Sequence, residues 1–239
     1  MWDNPRLLNA AAGALTALAL MVFAVAAMQL LLRSAMFPLR EMTVRGALAH
    51  TSRAEIEKAA QGRVGGNFFA VDLAQVRAAL EGLPWVRRAE VRRVWPDRLE
   101  ATLEEHVALA RWAEGGLVNV QGERFAGTSV AVLPHFAGPA GSEGEVARRY
   151  RHFGEILAPL AAAPERLTLS PRYAWRLRLG DGLAIELGRD APNDPVEARL
   201  ARLVVAYPHT LARMPRKHEY VDLRYPNGFA LRLADAKGG

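Results

Sequence analysis

From Leu7 to Leu32 the chain carries no Asp, Glu, Lys, Arg or His; Arg6 precedes this run and Arg33 follows it. At ~1.5 Å of rise per residue, a helix of roughly 26 residues reaches ~39 Å, against a hydrocarbon core of ~30 Å. The run therefore predicts one transmembrane helix, with residues 1–6 as a short tail on one side and the remaining chain on the other. The competing reading is a cleaved signal peptide, for which Ala24-Val25-Ala26 supplies an A-x-A pattern. The apolar stretch is long for a signal peptide and continues past that pattern through Met28–Leu32, which favours a retained anchor. Flanking charge does not fix the orientation, because Arg33, Arg40 and Arg45 lie on the long side and Arg6 on the short one.

The anchor leaves about 200 of the 239 residues for folded structure, enough for one large or two small domains. The chain has 23% charged residues and a net charge of +6, and its Arg87, Arg88, Arg92 and Arg93 form a local basic cluster. Such a cluster suits nucleic acid, an anionic surface or simply a solvated face. No zinc-knuckle, RNP or Arg-rich tail pattern favours nucleic acid, so the solvated face is preferred. With no cysteine, thiol catalysis, disulfides and thiolate metal sites are excluded.

Beyond Pro38, Glu41–Arg45 reads as a short strand stopped by Gly46. Thr51 or Ser52 can cap a helix reaching Ala60, and Asp72 can cap a second in which Leu73, Val76, Leu80 and Leu83 recur at near-helical spacing. Trp85–Val94 and Arg98–Glu105 read as strands around a Pro96-Asp97 turn. Leu99, Ala101 and Leu103 alternate with Arg98, Glu100, Thr102 and Glu104, the signature of a half-buried strand. The order β-α-α-β-β over residues 38–107 predicts a compact α+β domain.

Residues 108–233 predict a second, mainly antiparallel β domain with flanking helices, and 234–239 a tail. Leu117–Val120 and the residues after Gly122 suggest a strand pair, and Ser142–Leu160 is helical, with Val146, Tyr150, Phe153, Ile156 and Leu157 on one face. Trp175–Leu179 and Leu183–Leu187 flank Gly180-Asp181-Gly182 as a hairpin. Asp194 is expected to cap a helix with Pro195 at its first position, Glu197, Arg199 and Arg202 facing out and Leu200, Leu203 and Val204 facing in. Tyr220–Tyr225 and Phe229–Leu233 read as a last hairpin. A three-residue loop, Pro226-Asn227-Gly228, pairs Tyr225 with Phe229, Leu223 with Leu231 and Val221 with Leu233, keeping apolar residues on one face with Gly228 left-handed. On these residues alone, Phe229–Leu233 is a sheet edge protected by Arg232 and the tail.

Signals for enzyme chemistry are poor. The six histidines show no paired metal-ligand spacing. Glu104-Glu105-His106 resembles an acid/base cluster, but neighbouring strand residues point to opposite faces. Ala140-Gly141-Ser142-Glu143-Gly144 nearly mimics a nucleophile elbow and lacks its first glycine. Trp85 and Trp95 are expected to be packing residues.

The segment Leu83–Leu99, LPWVRRAEVRRVWPDRL, closing on Glu105-His106, resembles the POTRA domain of the FtsQ/DivIB family of bacterial cell-division proteins, and Asn67-Phe68-Phe69 and Val71-Asp72-Leu73 fit the same pattern. Gly138-Pro139, Leu187-Gly188-Arg189, Ala201-Arg202-Leu203 and Tyr220–Tyr225 extend the resemblance over nearly all of the chain beyond the anchor. The resemblance implies a non-enzymatic divisome scaffold without cofactor or metal. It would cross the inner membrane once, with the N-terminus cytoplasmic and both domains periplasmic, and be enriched at the septum. It implies as partners the periplasmic segments of FtsB and FtsL, bound through the terminal hairpin, and other division proteins through the POTRA domain and the transmembrane helix. The implied contacts are Tyr225, Asn227, Gly228, Phe229 and Leu231, with Arg172 meeting a partner carboxylate. Asn227 stands where some relatives have Ser, and Arg232-Leu233 where some have Gly-Trp. An outer-membrane assembly factor and a membrane-tethered periplasmic hydrolase are the alternatives. The first requires barrel strands and the second a catalytic set, and neither is legible here.

Overall fold

The structure, a computed structural model, describes residues 5–33, 37–214, 218–225 and 228–233. They form five α-helices and twelve β-strands. The chain divides at Glu105/His106 into two compact units, each described by itself.

In the first unit, helix α1 spans Pro5–Arg33. Within it Leu8–Leu30 is long and apolar enough to cross a membrane, and none of that window is buried against protein. Its side chains have no protein core to join, which is what a lipid-facing helix requires.

The remainder of this unit is β1 (Glu41–Arg45), α2 (Arg53–Ala60), α3 (Leu73–Glu81), β2 (Val86–Val94) and β3 (Arg98–Glu105). The order is the expected β-α-α-β-β. Ser52 starts α2 with a full capping box, its hydroxyl accepting from Glu55 N–H while the Glu55 carboxylate accepts from Ser52 N–H. Asp72 starts α3 by accepting from Ala74 and Gln75 N–H. The sheet order is β1-β3-β2, with β1 parallel and β2 antiparallel to the central strand. Leu99, Ala101 and Leu103 on β3 are buried in one core with Ile56 of α2 and Val76 and Leu80 of α3. Burying each of the larger side chains is worth about 1.5–3 kcal/mol. Glu100 points the other way and is nonetheless buried, because Arg45 (3.1 Å) and Arg92 (Nε 2.8 Å) roof its carboxylate. The basic cluster is spent locally in the same manner. Arg87 pairs with Glu104 at 2.8 Å and Arg88 with Glu90 at 3.0 Å, and Arg93 donates to the carbonyls of Phe68, Phe69 and Val71.

The second unit is built on a nine-stranded sheet. Its strands are β4 (Ala108–Trp112), β5 (Leu117–Asn119), β6 (Arg124–Phe125), β7 (His135–Ala137), β8 (Pro164–Leu169), β9 (Ala174–Leu179), β10 (Ala184–Arg189), β11 (His218–Asp222) and β12 (Ala230–Leu233). They lie in the order β12-β11-β10-β9-β8-β7-β4-β5-β6. Hairpins make most junctions antiparallel, as expected. Where a helix intervenes the pair is parallel: α4 (Glu143–Leu157) joins β7 to β8, and α5 (Val196–Ala206) joins β10 to β11. Val146, Phe153 and Leu157 of α4 and Val196, Leu200 and Leu203 of α5 share one core with Leu167, Trp175, Leu177, Ile185 and Val221 of the sheet.

The structure corrects four expectations. Asp194 does not cap α5: Pro195 holds the N-cap position without a side-chain cap bond, and the Asp194 carboxylate is occupied by Arg199 (2.7 Å) and Arg202 (2.8 Å). Arg199 does not face out. It is 7% exposed, its Nη1 donating to the carbonyls of Leu187 (2.6 Å) and Arg189 (2.9 Å). Trp95 is not a packing residue but 73% exposed, whereas Trp85 stacks on His50 with ring centres 3.7 Å apart.

The fourth correction is the last hairpin. Val221 pairs with Leu231 and Asp222 with Ala230, so the connection runs from Leu223 to Phe229 and Leu233 lies opposite His218. Leu223 N–H donates to Glu186 O (2.9 Å), continuing the β10 ladder, while the Asp222 carboxylate accepts from Arg224 N–H at 3.0 Å. That side-chain bond diverts the backbone donor that a tight hairpin would need. The slip is even, so Val221 and Leu231 still share the inner face. Pro226 and Asn227 lie outside the described residues.

Candidate partner-binding edge

Strand β12 is the outermost strand of the sheet; among the described residues it pairs with β11 alone. One row of its N–H and C=O groups thus faces away from the sheet, a template for an added strand. Leu231 and Phe229 are partly buried against the core, so the edge is held from beneath, and Tyr225 and Gly228 are exposed.

Topology gathers the remaining predicted residues at one end of this sheet. β10 and β11 are parallel, so Arg189 and Tyr225 emerge at the same end, where β12 also begins. Ala174 at the start of β9 lies opposite Arg189, placing the Ser170–Tyr173 turn there as well. That turn is closed by Tyr173 N–H to Ser170 O (2.9 Å) and Ala174 N–H to Ser170 Oγ (3.0 Å), with Tyr173 left-handed at φ 58°. Arg172 is exposed at its tip and forms no ion pair among the described residues. Strands lie ~4.8 Å apart, so three strand steps set Arg172 about 14 Å from the β12 edge. Arg172, Tyr225, Gly228 and Phe229 are therefore brought to one end, Leu231 lies further along the edge, and Asn227 is outside the described residues.

Between these positions lies a pair the sequence reading missed. Arg224 donates through Nε and Nη2 to Asp222 (2.9 and 2.6 Å), and its aliphatic stem crosses Gly188, where a Cβ would meet Arg224 Cγ at 2.8 Å. The Arg224 hydrogen bonds hold the Asp222 carboxyl below the usual carboxylate range, although burial alone would raise it. Burial, together with the Asp222 and Glu186 charges, pushes the Tyr220 phenol up. The signal available in the sequence was Asp222-Leu223-Arg224, an acid and a base two apart on one face of a strand.

Away from the helices, the sheet's open face is basic. Arg166, Arg178, Ala184, Tyr220 and Arg232 stand in one cross-strand row over a shallow depression of ≈ 440 Å³, with Arg232 over the Tyr220 ring at 5.2 Å.

Glu104, Glu105 and His106 diverge. Glu104 pairs with Arg87, Glu105 accepts the backbone N–H groups of Ala49, His50 and Thr51, and His106 stacks on Phe125. Burial would raise the Glu105 carboxyl, but the hydrogen bonds from Thr51, Ala49 and His50 outweigh it and hold it low. The Ser142 hydroxyl donates to Pro139 O at 2.6 Å.

Two family models match the chain: "POTRA domain, FtsQ-type" over residues 37–106 and "Cell division protein FtsQ/DivIB, C-terminal" over residues 110–224. The chain is 48% identical to Cell division protein FtsQ of Burkholderia pseudomallei over 237 residues, covering 98% of this chain and 95% of that relative. It is 41% identical to the FtsQ of Nitrosospira multiformis over 237 residues, covering 97% and 99%. It is 29% identical to that of Neisseria gonorrhoeae over 235 residues, covering 98% and 96%.

Proposed function

We propose, from the premise that this chain belongs to the FtsQ/DivIB family of cell-division proteins, that it is a divisome scaffold whose β12 edge receives a partner strand. Membership gives the role in cell division, and α1 fits a single-pass membrane protein. The finer reading is ours. The N-terminus is cytoplasmic and both domains are periplasmic, the protein is enriched at the septum, and the partner is the periplasmic segment of FtsB together with FtsL. The scaffold thereby links early cytoplasmic division proteins to septal peptidoglycan synthesis.

The observation that carries this reading is the flank of β12 that is unpaired among the described residues. A partner segment laid along it gains main-chain hydrogen bonds without repacking the core. At the end where β12 begins, Tyr225 offers an exposed aromatic ring and Arg172 a cation for a carboxylate. Tethering by α1 keeps partner and scaffold at high effective concentration in one membrane.

Calorimetric titration of the full chain in detergent with the FtsB and FtsL periplasmic segments tests this directly. Tyr225→Ala should weaken binding about tenfold, as expected for an aromatic anchor, with the circular dichroism of the domain unchanged. Equal affinity for Tyr225→Ala and the parent chain would remove Tyr225 from the site. In cells, depletion of the protein should give undivided filaments, and normal division under depletion would refute the scaffold role.

A further inference from the structure

Only residues 34–36 separate the end of α1 from Phe37. An extended chain covers at most ~3.6 Å per residue, so Phe37 cannot lie more than about 14 Å from Arg33. Whatever is fastened to Phe37 is therefore kept beside the membrane that α1 crosses.

Two loops are fastened there. Phe37 O accepts from Phe68 N–H (2.8 Å), Leu39 N–H donates to Gly66 O (2.9 Å), and Pro38 bridges to Asn67. Arg40 N–H donates to Asp97 O at 2.9 Å. These bonds collect residues 65–70 and the 95–98 turn at the anchor-side end of the β-α-α-β-β domain. β3 runs from Arg98 at this end to Glu105 at the other, a span of about 23 Å at 3.3 Å per residue.

This end presents aromatic rings and guanidinium groups to solvent together. Trp95 is 73% exposed and Phe69 41%, with Phe37 edge-on to Phe69 at 5.4 Å. The exposed side chains of Arg40 and Arg98 flank the turn, and Asp97 lies 3.8 Å from each. A large exposed indole contributes little to the core. At a lipid headgroup layer, the same ring, with arginines reaching phosphates, is at its most favourable position.

We propose that residues 37–40, 65–70 and 95–98 form a membrane-contacting foot, in which Trp95 and Phe69 enter the interfacial layer and Arg40 and Arg98 meet anionic lipid headgroups. The occupant is the lipid surface because the short linker holds these side chains within its reach in every copy of the protein. The foot fixes how the domain stands on the bilayer and complements the strand edge in the second unit. It rests on α1 being a retained span, which recovery of the labelled chain in the nanodisc fraction reports separately.

The chain has no cysteine, so a single introduced one carries a unique spin label. Full-length Ala70→Cys (foot) and Ala47→Cys (far end) are labelled with a nitroxide and reconstituted in nanodiscs of phosphatidylethanolamine and phosphatidylglycerol. The accessibility ratio of oxygen to a water-soluble nickel chelate should be about threefold higher at residue 70 than at residue 47, as for an interfacial site. It should fall toward the residue 47 value when Trp95→Ser and Phe69→Ser are added. Equal ratios at the two labels in the parent sequence overturn the proposal without recourse to any substitution in the foot. So does a rise at residue 70 that occurs only after the partners' periplasmic segments are added, which would assign the foot to a protein.

Discussion

Arg199 buries a guanidinium where a helical wheel places a solvent-facing charge. It forks onto the carbonyls of Leu187 and Arg189 while Nε holds Asp194. Arg199→Met should lower unfolding stability by about 2–4 kcal/mol, because two carbonyls and part of a carboxylate lose their donor; chemical denaturation in detergent measures it. Arg199→Lys should recover only part, since an ammonium cannot reproduce the planar fork. Asp222 makes a prediction about pH. Its folded pKa lies below the unfolded value of ~4, so the stabilisation from Arg224 is complete above that value. It is lost as pH falls through the folded value. Melting midpoints between pH 6 and pH 3 should therefore decline, and Asp222→Asn should remove part of that decline. The sequence conceals both residues for one reason: charge alone places a side chain outside, and only the folded chain brings up the carbonyls or the charged partner that satisfy it within. Ser52 and Asp72 were legible because their partners are only two or three residues away.

At the scale of elements, local patterning was readable and long-range pairing was not. β3 declared itself by strict alternation and a Pro-Asp turn, and its limits match those read from sequence. The parallel pairing of β10 with β11 escaped, because α5 and the residues after it intervene and no periodicity encodes which strand a returning segment will join. That pairing carries the candidate site, since it brings Tyr225 to the same end as Arg172. Gly188 is the joint between them: φ 76° at the β9–β10 register shift, with Arg224 folded over it. Gly188→Ala should cost about 1–2 kcal/mol through its left-handed backbone, and by displacing Arg224 should also weaken partner binding in the calorimetric titration. Arg166 and Arg178 stand directly opposite each other on the open face. Arg166→Glu should convert this like-charge pair into an attractive one and raise stability by about 0.2–1 kcal/mol, read as a higher denaturation midpoint at low salt.

For the molecule as a whole, the two units have separate cores, one around Leu80 and Leu99 and one around Phe153 and Leu177. Leu80→Ala should cost about 2–5 kcal/mol and Phe153→Ala about 3–5, and hydrogen exchange should show each loss chiefly in amides of the unit that carries it. The strand order of the second unit was not readable, because six of its nine strands are no longer than five residues. That order has a mechanical consequence. If α1 anchors the chain and a partner occupies β12, tension would enter the sheet at β4, third strand from the β6 edge, and leave it at the β12 edge. Such a force would cross the ladders between β4 and β12 in series, and the junction with the fewest registered pairs on that path would bear it least well. β4 and β7 share only two registered pairs, Arg111 with His135 and Trp112 with Phe136, backed by the Arg111 N–H bond to Pro134 O and the Ala113 N–H bond to Phe136 O. Pulled between those two points, the sheet would part first at this seam, with β5 and β6 still paired beside β4.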